Sequence, residues 1–440
     1  QGDDDEPSLT FKYRPVDLGH GYIRVEYSQA GHSLASVLVP IEVVKQEVVE
    51  APGHSTTPVQ EVGTAPPADW RLYVTYDSRP QNRLLRIELT CGEGERKQFK
   101  DVVLEESPEG MLASLYERLE DLQAGPTDLI DQKVRGEIRS ISADEAEEEL
   151  ENLGSQLWTR FLPDDFRREY YDNREAWEGK SVIVYSNEPW IPWELMRPYQ
   201  VDKNWKSDGP WCEKMRLTRW LQTDTQPQSI PGTPPLTLRM GGLTLVVPKE
   251  SKLKFAKDER SFMIKFRYNH KLKNSGVEPV TDVAVRKALK QPYDWVHAAA
   301  HGVSLRKGSG EALLLLDKGS IKPSDIYGLE YEKMLSKAPS FVFNACQVGR
   351  EEWTVFGTSG WATQLVGRGA GMFIAPLWSV TDNLAHKFVS TLYRELAAGK
   401  TVGEAILASR SSAREKGDPT WLAYCVYAHP NARIALPDPA

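Results

Sequence analysis

Cysteine is scarce in this chain: four residues, Cys91, Cys212, Cys346 and Cys425, among 440, and no C-x-x-C pair. Such scatter argues against a disulfide framework or a structural zinc cluster and suits a reducing cytoplasm. A surplus of positive charge is also missing. Lys and Arg number 54 against 62 Asp and Glu, for a net charge of −8, so nucleic acid is not expected as a direct ligand. Long apolar runs are lacking as well. The uncharged stretch Gly369–Val380 is short and broken by Gly and Pro, and no segment is expected to cross a membrane. No period of solenoid length recurs, which excludes a helical-repeat array. The opening QGDDDE is acidic and unlike a signal peptide; without an initiator Met, it reads as the start of a truncated or processed form.

What is present is the material of a globular protein. Hydrophobic residues make up 40%, and 13 Trp and 17 Tyr supply large surfaces for a core. The length predicts two or three domains. Residues 21–50 hold β-rich runs, and the Pro-, Gly- and Thr-rich stretch 51–69 reads as a linker. WRLYVTY and RLLRIELTC form a predicted hairpin with a long turn. Helical periodicity covers 108–123 and 143–161, where ADEAEEELE reads as a solvated face. These features define an N-terminal region, 1–170, with a β-rich or α+β character.

From residue 171 to 440 the pattern changes. SVIVYS, GLTLVVP, DWVHAAA, SFVFNA and GMFIAP are short apolar runs with helical stretches between them, which predicts an α/β domain with a mostly parallel sheet flanked by helices. Thr381 or Asp382 caps one late helix, Thr401 and Glu404 have the spacing of a capping box on the next, and WLAYCVYA reads as a final strand. The proline-rich stretch 223–236 reads as an exposed loop and a candidate site of self-cleavage.

Ligands of open α/β sheets gather at the carboxyl ends of the strands. Two successive strands end in reactive groups: DWVHAAAHG in His301-Gly302, and SFVFNACQVG in Cys346. If the strands are parallel neighbours, thiol and imidazole emerge together. A thiol of ordinary pKa, near 8.5, needs such an imidazole to form thiolate and to protonate a leaving amine. The N–H groups of Gly302 and Cys346 are placed to form an oxyanion hole. His297, mid-strand, reads as a satisfied core histidine or as a group that supports the site from behind. His386 reads as surface or packing, and Cys91, Cys212 and Cys425 as structural.

Around these residues the motifs accumulate: IPWELM (191–196), HAAAHG, LLLLDKGSIKPSDIYGL (313–329), FVFNACQVG, GWATQLVGRGAGMFIAPLWSVTD (360–382) and FVSTLYRELAAGKTVGEAILASR (388–410). From about 190 to 435 the chain resembles the CHAT family of caspase-like cysteine peptidases. The resemblance implies a caspase-like fold, His301 as base, Cys346 as nucleophile and Gly302 at the oxyanion hole. The 45-residue His–Cys separation is close to the roughly 50 typical of caspases. The resemblance also places Trp378 and Asp382 near the rim of the site and makes Glu194 a structural anchor. Asn344 stands two residues before the nucleophile, where relatives read the P1 side chain. A neutral amide there matches neither an Asp-based basic pocket nor a caspase-like acidic preference, so P1 is left open, as is a role limited to bonding nearby backbone.

The expected function is therefore a gated cytoplasmic endopeptidase acting on a protein partner in bacterial defence or programmed cell death. A gasdermin-like pore former or another effector would be its substrate, and residues 1–170 its regulatory or docking region, answering a sensor protein. Gly349, Gly357 and Gly360 mark loops able to reorder on a signal. The dyad calls for no metal or cofactor. The competing expectations are a catalytically silent scaffold of the same fold, and a thiol hydrolase or acyltransferase acting on another acyl group.

Overall fold

The computed structural model describes residues 19–29, 32–43, 66–77, 83–92, 96–106, 108–123, 142–201, 206–222, 233–249, 255–290, 294–304, 312–346, 348, 351–354 and 357–437. The expected linker lies mostly, and the 223–236 loop largely, outside these residues, as does Gly349. Strands β1 (Gly19–Gln29) and β2 (His32–Val43) form a separate antiparallel pair.

One 12-stranded sheet organises the rest of the described chain. Its strands are β3 (Trp70–Asp77), β4 (Leu84–Cys91), β5 (Lys97–Gln98), β6 (Val102–Val103), β7 (Ser181–Ser186), β8 (Arg216–Leu221) and β9 (Gly242–Val246). The remainder are β10 (Lys273–Gly276), β11 (Trp295–Ala299), β12 (Ser340–Asn344), β13 (Met372–Pro376) and β14 (Tyr424–Tyr427). The order across the sheet is β10-β9-β11-β12-β13-β14-β8-β7-β3-β4-β5, with β6 beside β4. Strands β10, β9, β11, β12 and β13 are parallel. Strands β14, β8, β7 and β3 are parallel to one another, and the two sets meet at the antiparallel pair β13–β14. The chain therefore leaves the two sets at opposite edges of one sheet.

The apolar runs become strands because both faces are covered: β7, β11 and β13 are buried throughout. Helices α1 (Pro108–Gln123), α2 (Ala143–Phe161), α3 (Asp164–Asp172), α4 (Ala256–Asn269), α5 (Asp282–Leu289), α6 (Leu329–Leu335), α7 (Asp382–Ala397) and α8 (Val402–Ala413) account for the longer helical stretches. Ser142 with Glu145 caps α2, and Thr401 with Glu404 caps α8, each as a capping box. The stretch 421–428 divides: Trp421–Ala423 belongs to a short helix, and the strand begins at Tyr424.

The expected break at residue 170 does not separate two sheets. Strand β3 pairs with β7 in parallel, with Leu72 opposite Val184, and the side chains of α2 and α3 enter the same core. An aromatic cluster fills this half. Trp70 stacks on Trp177 with ring centroids 4.2 Å apart, and Trp158 packs edge-on against Tyr170 and Trp211.

Candidate active site

His301 and Cys346 share one edge because their strands share one register. In β11 and β12 the pairs run from Trp295 opposite Ser340 to Ala299 opposite Asn344, and Ala300 N–H then donates to Asn344 O at 3.3 Å. Two residues further along each strand stand His301 and Cys346, both partly exposed. Gly302 brings the two ends into contact. A Cβ at this position would run into the carbonyl of Cys346 and stand 2.8 Å from Val348 Cγ2, so only glycine permits the approach. Leu315 N–H donates to His301 O at 2.8 Å, and Gly302 pairs with Leu314 in the next, non-bonded position. Antiparallel alternation therefore turns the Gly302 N–H away from that neighbouring strand.

Beneath the edge lies a buried polar chain. Glu259, on α4 and 2% exposed, meets His297 Nε2 through Oε1 at 2.8 Å and accepts from Asn344 Nδ2 through Oε2 at 2.7 Å. Tyr424 OH donates to Asn344 Oδ1 at 2.7 Å. On the other side, His297 Nδ1 lies 3.1 Å from Tyr393 OH, which accepts from Trp295 Nε1 at 2.8 Å. Burial holds both tyrosine hydroxyls well above their usual pKa. His297 is the satisfied core histidine expected. Asn344 bonds side chains on other elements, not nearby backbone, and its amide is turned inward onto Glu259 and Tyr424.

Asp382 opens α7 at the same edge, and its Oδ2 accepts from Phe255 N–H at 2.8 Å. Burial pushes its carboxyl up and Glu259 adds to this, against the Phe255 hydrogen bond and the nearby His301 and His386. Trp378 is corrected from rim to core: it is 0% exposed and donates through Nε1 to Pro419 O at 3.3 Å.

Glu194 is the buried anchor expected, with Oε1 accepting from Arg219 Nε at 2.9 Å and Oε2 from Arg219 Nη2. Cys212 and Cys425 are buried, the latter donating to Ala375 O, whereas Cys91, expected to be structural, is exposed at the end of β4. His386 is half-buried and stacks on Phe255.

Glu259, Tyr393 and Tyr424 were not among the sequence candidates. Glu259 had a readable signal: with Ala256, Met263 and Phe266 it falls on one helical stripe, the buried face of α4, where an acid needs a partner. Among the described residues, no group of three or more His, Cys, Asp or Glu is placed to hold a metal ion. No helix among them is long and apolar enough to cross a membrane.

Residues 224–432 match the family model of the CHAT domain, within the 190–435 span marked by the motifs. Among solved structures, the separase of the Saccharomyces cerevisiae separase–securin complex is similar, with a TM-score of 0.52 at 11% identity over 83% of this chain. The chain spans only 30% of that separase chain. The Arg-specific cysteine proteinase gingipain R aligns at 12% identity and a TM-score of 0.42, over 70% of this chain and 77% of its own. The Drosophila initiator caspase Dronc aligns at 10% identity and a TM-score of 0.32, over 45% of this chain and 85% of its own. At such identities the likeness is one of fold. A search of curated protein sequences finds no match.

Proposed function

On a chain that carries a CHAT domain within a caspase-like sheet, we infer that Cys346 and His301 are the nucleophile and base of a cysteine endopeptidase. The observation that carries this reading is the register that brings the two residues level at one edge, with Gly302 against the Cys346 carbonyl. In the reaction, Cys346 Sγ attacks the carbonyl carbon of the scissile peptide as His301 takes the thiol proton. The oxyanion is met by the N–H groups of Gly302 and Cys346. His301 then gives its proton to the leaving amine, and water hydrolyses the acyl-enzyme.

The substrate is a protein partner, such as a gasdermin-like effector, cut in the cytoplasm during bacterial defence or cell death. Residues 1–170 serve regulation. Their route to the site is α1, whose buried Glu120 accepts from Ser379 N–H at 3.2 Å in the loop leading to Asp382.

The test incubates the full chain with a degenerate peptide library and, separately, co-expresses it with the proteins encoded beside it. Discrete products that vanish in Cys346→Ala and His301→Ala are expected. A product that persists in Cys346→Ala would overturn the nucleophile. No cleavage in either format would favour the silent scaffold.

A further inference from the structure

We propose that Glu259 is a positioning residue for the Cys346–His301 pair, acting as the common acceptor at which two buried donor chains end; this rests on the dyad reading. The direction of the first chain follows from a group that can only donate. Trp295 Nε1 carries a hydrogen and no lone pair for bonding, so Tyr393 OH must accept there, at 2.8 Å. That leaves the Tyr393 hydroxyl proton for His297 Nδ1, 3.1 Å away. A neutral imidazole that accepts at Nδ1 carries its proton on Nε2, which faces Glu259 Oε1 at 2.8 Å. From the other side Tyr424 donates to Asn344 Oδ1, and Asn344 Nδ2 donates to Glu259 Oε2, each at 2.7 Å.

Both chains converge on one carboxylate, and each passes through a strand of the site. His297 lies four residues before His301 on β11, and Asn344 lies two before Cys346 on β12. Glu259 therefore joins the base-bearing strand to the nucleophile-bearing strand directly below their ends. It also ties both to α4, whose preceding residue Phe255 donates to Asp382 at the rim. Glu259 is 2% and His297 0% exposed, so a bond lost between them has little access to water in its place.

The geometry sets a specific substitution test. In Glu259→Gln, one of the two inward N–H donors meets another N–H, or Asn344 flips its amide and the Tyr424 hydroxyl proton loses its acceptor. The double exchange Glu259→Gln with Asn344→Asp restores the whole chain: the Gln oxygen accepts from His297, its N–H donates to the new carboxylate, and that carboxylate also accepts from Tyr424.

The readout is the rate of iodoacetamide alkylation at Cys346 across a pH series, measured on the full chain by peptide mass spectrometry. Exposed Cys91 provides an internal reference. Glu259→Gln is expected to slow Cys346 alkylation near neutral pH by about tenfold and move its midpoint toward that of an ordinary thiol. The double exchange should return the rate to within about threefold of the unaltered chain. If Glu259→Gln does not fold, Tyr393→Phe and Tyr424→Phe each remove one hydroxyl and keep the ring. Either should shift the profile in the same direction by a smaller amount. Folded variants that match the unaltered chain, while His301→Ala shifts the midpoint, would overturn the role of Glu259 and leave the dyad standing. A double exchange no better than the single change would overturn it as well. An unchanged midpoint in His301→Ala would remove the dyad, and the proposal with it.

Discussion

The two halves of the sheet bury carboxylates in opposite ways. In the half made by β14, β8, β7 and β3, Glu194 is closed by the guanidinium of Arg219 and both side chains are buried. In the half made by β10, β9, β11, β12 and β13, Glu259 is met by His297 and Asn344, and its chain of bonds leads to an edge where Cys346 and His301 are partly exposed. An ion pair closed on itself fixes one loop to one strand. A carboxylate satisfied by an imidazole and an amide can instead hold two strands in register without bringing a cation beneath Cys346. The first half closes its charge inside, and the second leads its buried acid toward the edge that carries the proposed pair.

Removing the cation should give the largest effect. Arg219→Met leaves Glu194 buried without its partner and removes from Glu188 a positive charge that favours its ionised form. A cost of about 3–5 kcal/mol in unfolding free energy is expected, read by denaturant titration. Below the melting transition, Cys346 alkylation should stay unchanged, because the lesion lies in the other half. A variant as stable as the parent would mean that the pair is no anchor.

Gly302→Ala should reverse that pattern. The new methyl is forced toward the Cys346 carbonyl and Val348 Cγ2, so the two strand ends must separate. A displacement near 1 Å is enough for a loss of about 100-fold in kcat/KM, or about 2.7 kcal/mol of transition-state stabilisation. The melting temperature should fall far less than in Arg219→Met. Unchanged turnover in Gly302→Ala would show that the close approach has no part in the chemistry.

What the sequence made legible follows the range of the interactions. Strands β11, β12 and β13 announce themselves as buried apolar runs, and His301 and Cys346 stand two residues past the ends of two of them, so pairing by neighbouring order was enough to put both at one edge. The capping box of Thr401 and Glu404 spans three residues and is equally local. The pairing of β3 with β7 crosses more than 100 residues and leaves no local mark, which is why a boundary near 170 seemed natural. Trp378 was placed by its neighbours in the motif, but its burial depends on Pro419, which approaches from another loop. The bonds of Asn344 come from α4 and β14, so no spacing within SFVFNACQVG could have assigned them.

The smallest effect should come from pH, and it tests the closed half again. Glu188 accepts from Ile191 N–H and Trp193 Nε1, each at 3.0 Å, but the bidentate bonds of Arg219 go to Glu194. One guanidinium thus serves two buried carboxylates unequally, and burial pushes Glu188 up to about 7. Since the folded state holds this proton more tightly than the unfolded chain does, the stability it confers is complete below the unfolded pKa. It is then lost as pH rises through the folded value. Between about pH 5.5 and 7.5 this group alone should remove about 2 kcal/mol. In Glu188→Gln, which has no proton to release, that part of the slope should disappear even if the variant is less stable throughout. Equal slopes in the two proteins would show that Glu188 already shares the charge of Arg219, and the contrast between a paired and an unpaired carboxylate in this half would fail.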